Sequence, residues 1–185
     1  MSAVPAPTFQ LRPVTLDDAA LLLRWRNAEP VRQCMYNIAE IALPEHQQWL
    51  QRELANPASR HLLLERDGTP VGYASLSAIS ERHRRCTWGF NLGDSSQPRG
   101  TGLRMLALLA EQVFEVLQLE KICSEVLDFN AASLRVHQRL GFVPEGRLRR
   151  HIHRPDGVFD VELLALFAED WRRLRGTLLA ELFDD

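Results

Sequence analysis

The chain of 185 residues sets 22 lysines and arginines against 24 aspartates and glutamates, a formal net charge of −2, so it lacks the cationic excess of a general nucleic-acid binder. Its 45% hydrophobic and 25% charged residues describe an ordinary globular domain, and no apolar run is long enough to span a bilayer. Cys34, Cys86 and Cys123 stand far apart without CxxC or Cys/His ligand spacing. That pattern argues against a zinc site or a disulfide framework, implies no metal, and suits a reducing cytoplasm.

Residues 1–8, with Pro and Ala but no basic stretch leading into an apolar core, read as a flexible N-terminus rather than a secretory leader, and residues 9–185 as one domain. Phe9 to Val14 alternates as a half-buried strand. Thr15-Leu16-Asp17 then offers caps for a helix through about Trp25. Pro30 interrupts, and a second short helix is expected from Val31. Pro44 suits the first turn of a third helix with Trp49, Leu50 and Leu54 on its apolar side. Arg60–Arg66, a turn over Asp67-Gly68-Thr69-Pro70, and Val71–Ile79 predict a β-hairpin, with Arg85–Leu92 the next strand.

From Leu103 the period becomes helical through Leu117, with apolar residues on more than one side. Lys121–Leu127 predicts a strand, Ala131–Leu140 a helix stopped by Gly141, and Val158–Phe167 the last clear strand. A terminal helix carries Trp171, Leu174, Leu178 and Leu182. Antiparallel strands followed by a strand, helix, strand crossover require at least one parallel pair.

The most informative stretch is Gln97-Pro98-Arg99-Gly100-Thr101-Gly102, between a strand and the long helix. Glycines let the backbone approach a ligand, and the amides that open a helix favour a pyrophosphate. Two glycines can equally make a plain strand-to-helix turn. No Lys-Ser or Lys-Thr pair follows, so this is not a Walker loop, and a third glycine is missing for a dinucleotide fingerprint. Gln97, Gly100 and Gly102 resemble the central motif of the GCN5-related N-acetyltransferases. Glu125-Val126-Leu127-Asp128-Phe129-Asn130, then Ser133, His137 and Gly141-Phe142, resemble that family's second signature, in the right order and distance.

The resemblance implies an α/β (α+β) fold: a mixed central sheet of about seven strands, helices on both faces, and acetyl-coenzyme A in the splay between the fourth and fifth strands. It implies acetyl transfer to an amine. Phe90, Asn91 and Leu92 would hydrogen-bond the pantetheine arm through their backbone, and Gln97, Pro98, Arg99, Gly100, Thr101, Gly102 and Leu103 would cradle the phosphates. A proline common in the family just after that strand is replaced by Asp94. Asn130 would cap the following helix and reach the pantetheine. The family usually places Tyr where His137 stands, as the acid for the departing thiolate. Imidazolium could do the same, or His137 could merely border the stripe Ala132, Val136, Leu140. Glu125 occupies the place of a general base in a related branch, with a structural ion-pair role as the alternative.

The N-terminal third, Arg24-Trp25-Arg26-Asn27 with Val31-Arg32, Met35-Tyr36-Asn37, His46 and Trp49, resembles the acetyltransferases of pseudaminic acid biosynthesis. That resemblance implies a small-molecule nucleotide-sugar amine, the 4-amine of a UDP-linked 4-amino-4,6-dideoxy sugar, with Arg26, Asn27, Arg32 and His46 as substrate contacts. Guanidinium forks suit a diphosphate, although helix-surface arginines usually just face solvent. A ribosomal-protein-type N-terminal acetyltransferase and a non-catalytic coenzyme-A-binding module are the alternatives. No nucleic-acid or membrane partner is implied, and a homodimer stays open.

Overall fold

Strands in the computed structural model run as β1 (Phe9–Pro13), β2 (Arg60–Arg66), β3 (Thr69–Ser80), β4 (Arg85–Leu92), β5 (Lys121–Leu127), β6 (Val143–Arg154) and β7 (Gly157–Phe167). The helices are α1 (Ala19–Asn27), α2 (Glu29–Arg32), α3 (Leu43–Leu54), α4 (Thr101–Glu111), α5 (Ala131–Arg139) and α6 (Ala168–Phe183). The structure describes residues 7–93 and 96–183, so Asp94 and most of the expected flexible N-terminus lie outside the described residues. Thr8 is tied down, its amide donating to Asp67 Oδ1 at 2.9 Å.

All seven strands form one sheet in the order β1-β2-β3-β4-β5-β7-β6. The β4–β5 pair is parallel and the other neighbours are antiparallel. Alternation along β2 supplies both faces of the sheet at once. Leu62 and Leu64 join the larger core under α4 and α6, with Leu106, Phe114 and Trp171. Leu63 points the other way, into a smaller cluster with Val14, Leu22, Trp25 and Leu50 from the α1–α3 side. Met105 and Leu109 of α4 are buried as well as Leu106 and Ala110, which is why that helix is apolar nearly all round. Its end widens at Gln112–Val116, where the Leu117 amide reaches back to Gln112 O at 2.9 Å.

Three details differ from the sequence reading. Helix α2 begins at Glu29, before Pro30, because proline's fixed φ suits a first turn. The hairpin turn is only Asp67-Gly68, both with positive φ (52° and 76°), so β3 starts at Thr69 rather than Val71. Strand β6 is absent from the sequence reading altogether. It is the sheet's last strand, and its residues are mostly exposed.

Among the described residues, no helix is long and apolar enough to cross a membrane, and no group of three or more His, Cys, Asp or Glu could hold a metal ion.

Candidate active site

Pairing between β4 and β5 covers only Arg85↔Lys121 to Thr87↔Cys123. Beyond it, Trp88 to Leu92 and Ser124 to Leu127 flank an opening occupied by a cavity of about 760 Å³. The expected pantetheine strand, Phe90, Asn91 and Leu92, forms one wall, and Glu125, Asn130 and His137 form part of the other. Helices α1 and α3 close the far end with Arg26, His46, Trp49 and Arg52.

The Gly-rich turn meets the cavity through Gly102. Gly100 is the N-cap of α4 with φ 90°, a conformation that explains glycine without any ligand. Thr101 is buried and its hydroxyl donates to Pro98 O at 2.8 Å, while Leu103 turns into the core. Gln97, Pro98 and Arg99 precede the helix and do not line the cavity. At Gly102 a Cβ would come no nearer than 3.7 Å to any atom beyond its chain neighbours and its own helix backbone, so packing alone does not demand glycine there. A site in which a helix opens beside a strand with free backbone edges fits a phosphorylated, amide-bearing arm such as that of acetyl-coenzyme A.

Asn130 Oδ1 accepts from the Ser133 amide at 3.1 Å and so caps α5. That cap starts the helix which carries His137 inward. His137 is 1% exposed, and its ring sits among Trp88, Phe90 and Phe142. Its Nδ1 contacts Ser133 O at 2.8 Å and must donate, since a carbonyl only accepts. Nε2 must accept, since the Trp88 indole N–H at 3.1 Å can only donate, and the Ser124 hydroxyl completes the shell at 2.7 Å. Burial lowers the imidazole's proton affinity below its ordinary value, partly opposed by the Ser133 carbonyl. These contacts fit a neutral, doubly anchored ring with Nδ1 as donor and Nε2 as acceptor, in place of the imidazolium expected of an acid.

Glu125 is exposed toward the opening, and its Oε2 accepts from the Tyr36 hydroxyl at 2.5 Å. No local signal marks Tyr36 for this contact, because 89 positions separate the pair. Ser124 and Trp88 carry no local signal either, as their link to His137 exists only across strands and helix.

The expected substrate side chains are arranged differently from free anion forks. Arg26 Nη2 donates to Asn37 O at 2.6 Å, Arg32 Nη1 to Ile38 O at 2.9 Å, and Asn27 exchanges two hydrogen bonds with the Ile41 backbone at 2.9 and 3.0 Å. Asn27 and Arg32 do not line the cavity. Arg26 and His46 do, and each keeps a buried nitrogen, Nη1 and Nε2, with no hydrogen-bond partner among the described residues.

A family model described as an acetyltransferase (GNAT) domain matches residues 8–143. The prophage-derived uncharacterised N-acetyltransferase YokL of Bacillus subtilis is 26% identical over 131 residues, 70% of this chain and 73% of that protein. Spermidine N(1)-acetyltransferase of Escherichia coli K12 is 25% identical over 143 residues, 77% of each chain. A crystal structure of spermidine N-acetyltransferase from Vibrio cholerae with CoA and spermine superposes with a TM-score of 0.83 at 18% identity, over 89% of this chain and 98% of that one. At that identity the superposition speaks for a common fold.

Proposed function

The chain belongs to the GNAT family of acetyltransferases, and on that premise we propose that its acceptor is the 4-amine of a UDP-linked 4-amino-4,6-dideoxy sugar. Acetyl-coenzyme A is the acetyl donor of this N-acetyltransferase, supplying a thioester that an amine can attack. In the proposal, the backbone of the turn from Gln97 to Leu103, which meets the cavity at Gly102, and that of Phe90, Asn91 and Leu92 hold the donor, with Asn130 at the same arm. Glu125 removes the proton that would otherwise leave the acceptor a non-nucleophilic ammonium. His137 serves by holding Ser124 and Trp88 in place. The thiolate needs little help to depart, because a thiol ionises not far above neutrality.

The observation that carries the choice of acceptor is Arg26 Nη1, a buried donor at the acceptor end of the cavity with no acceptor among the described residues. His46 Nε2 is likewise buried without a partner among the described residues, and burial together with the nearby Arg26 lowers the ring's proton affinity. An imidazole nitrogen of either tautomer takes a hydroxyl as partner, and a guanidinium N–H calls only for acceptors such as oxygens. A nucleotide sugar is rich in them, whereas a polyamine brings further N–H donors and positive charge toward Arg26 and Arg52. Asn27 and Arg32 enter the reading indirectly, by holding the segment beside that end of the cavity.

The test is acetyl-CoA turnover with the purified protein and three acceptors: the UDP-linked 4-amino sugar, spermidine and a peptide with a free N-terminus. Mass gain of one acetyl group on the nucleotide sugar is the expected result. Acetylation of spermidine or of the peptide, with the nucleotide sugar untouched, would reject this acceptor.

A further inference from the structure

Residues 33–42 join α2 to α3 without helix or strand, yet several of their carbonyls are held from different directions. Besides the contacts from Arg26, Asn27 and Arg32, Arg154 donates through Nη1 to Gln33 O at 2.9 Å and Met35 O at 3.0 Å. Arg154 comes from the end of β6, some 120 positions away in the chain. Its side chain is 3% exposed. The guanidinium lies 4.3 Å from the Phe159 ring centre and 5.4 Å from that of Phe129, and its other edge is paired with Asp156 at 3.0 and 2.8 Å. A cation fixed on three sides makes a rigid post. It stands directly against the residues before Tyr36, whose hydroxyl reaches Glu125 Oε2.

We propose that Tyr36 is a positioning residue for acetyl transfer, fixing the Glu125 carboxylate, and that Arg154 acts through it by holding Gln33 and Met35. The inference rests on the reading of Glu125 as proton acceptor. A glutamate at an exposed strand position has several rotamers, and a base must lie within hydrogen-bond reach of the amine when it attacks. With Oε2 held by the phenol, Oε1 is left to face the acceptor. Burial, then the hydrogen bond and negative charge of Glu125, push the Tyr36 phenol up, so it stays a donor across the neutral range.

Two readouts separate this from a merely structural role. The chain has two tyrosines, so in a Tyr73→Phe background Tyr36 is the sole phenol. Its ultraviolet titration should lie above the ordinary phenol range and fall toward it in Arg154→Lys, which keeps the charge but cannot hold two carbonyls and Asp156 together. Turnover, with whichever amine the parent accepts, should drop on the order of tenfold in Tyr36→Phe and in Arg154→Lys, the scale of one hydrogen bond to a charged group. The double variant should lose no more than the worse single one, and acetyl-CoA affinity should not change. Tyr36 is 42% exposed, so Tyr36→Phe spares the core and carries the test alone if Arg154→Lys disturbs the hairpin. Losses that multiply, or a Tyr36 titration identical in both proteins, would overturn the action of Arg154 through Tyr36. Parental turnover in Tyr36→Phe beside a clear loss in Glu125→Gln would overturn the positioning role alone. Parental turnover in Glu125→Gln would remove the base and this inference with it.

Discussion

His137 stands seven positions after Asn130, close to two helical turns, where the family resemblance implies an acid. Its state is set by Trp88 and Ser124, which lie 49 and 13 positions away and meet it only once the sheet has formed. Replacing His137 by Phe strands the Trp88 N–H and the Ser124 O–H in the interior, at about 1–3 kcal/mol for each unsatisfied donor. The expected outcome is a clear drop in melting temperature with a modest change in turnover below it. His137→Gln, which can still offer an amide oxygen, should recover part of the stability. An unchanged melting curve with turnover down a hundredfold or more, the scale of general acid catalysis, would restore the acid role. For Glu125→Gln the prediction is the reverse: melting and acetyl-CoA affinity persist while turnover falls, on the order of 10²-fold or more. The deficit should shrink at high pH, where solvent has already deprotonated the amine. A deficit that is flat with pH and confined to acceptor affinity would assign Glu125 to binding instead.

Among the elements, those buried on a regular face were readable and those ruled by distant partners were not. The bounds of β4 and β5 match their apolar patterns, whereas β6 carries Glu145, Arg147, Arg149, Arg150, His151 and His153 and shows no alternation to read. It is a strand because β7 offers it a free edge, with Asp160 receiving Arg147 Nε at 2.8 Å and the Arg150 amide at 2.6 Å across a bulge. The opening of α4 gives a sharper test, because its two glycines differ. Gly100→Ala must hold a side chain at φ 90°, a strain on the order of 1–2 kcal/mol, although the new Cβ meets only the mobile end of Arg104 at 3.0 Å. Gly102→Ala meets nothing closer than the Leu92 side chain at 3.7 Å beyond its own helix backbone, and gains helix propensity, up to about 1 kcal/mol. Gly102→Ala should therefore leave the free protein as stable or more so, yet weaken the rise in melting temperature caused by acetyl-CoA, since the methyl enters the donor's place. An undiminished rise in that variant would show that the phosphates are not held at this turn.

On the scale of the whole molecule, the two cores on opposite sheet faces enclose three histidines, His46, His61 and His137, each buried and each pushed by burial below its ordinary proton affinity of 6.5. Glu53, 3.5 Å from His61, opposes that push without cancelling it. A second set of groups responds in a lower range: Asp18, Glu65 and Glu111 are held below their ordinary values chiefly by arginine hydrogen bonds from Arg12 and Arg175. Both sets take up protons more readily in the unfolded chain than in the folded one, so both make stability rise with pH and fall on acidification. They act in different windows. For the histidines the loss begins as pH drops through 6.5, the unfolded value, and continues down to their lower folded values. For the carboxylates it begins only near 4.5 for the glutamates and 3.8 for Asp18. Melting temperature followed from pH 8 to about 3 should therefore decline in two stages, the first well before any carboxylate titrates. His61→Gln should shrink the first stage, which His46 and His137 still supply, and leave the second in place, because it removes one proton-binding site of the unfolded chain while Arg12 and Arg175 keep their partners. A melting temperature that stays constant from pH 7 to about 5 would mean that these rings become charged inside the fold without cost, and the neutral state assigned to His137 would fall with it.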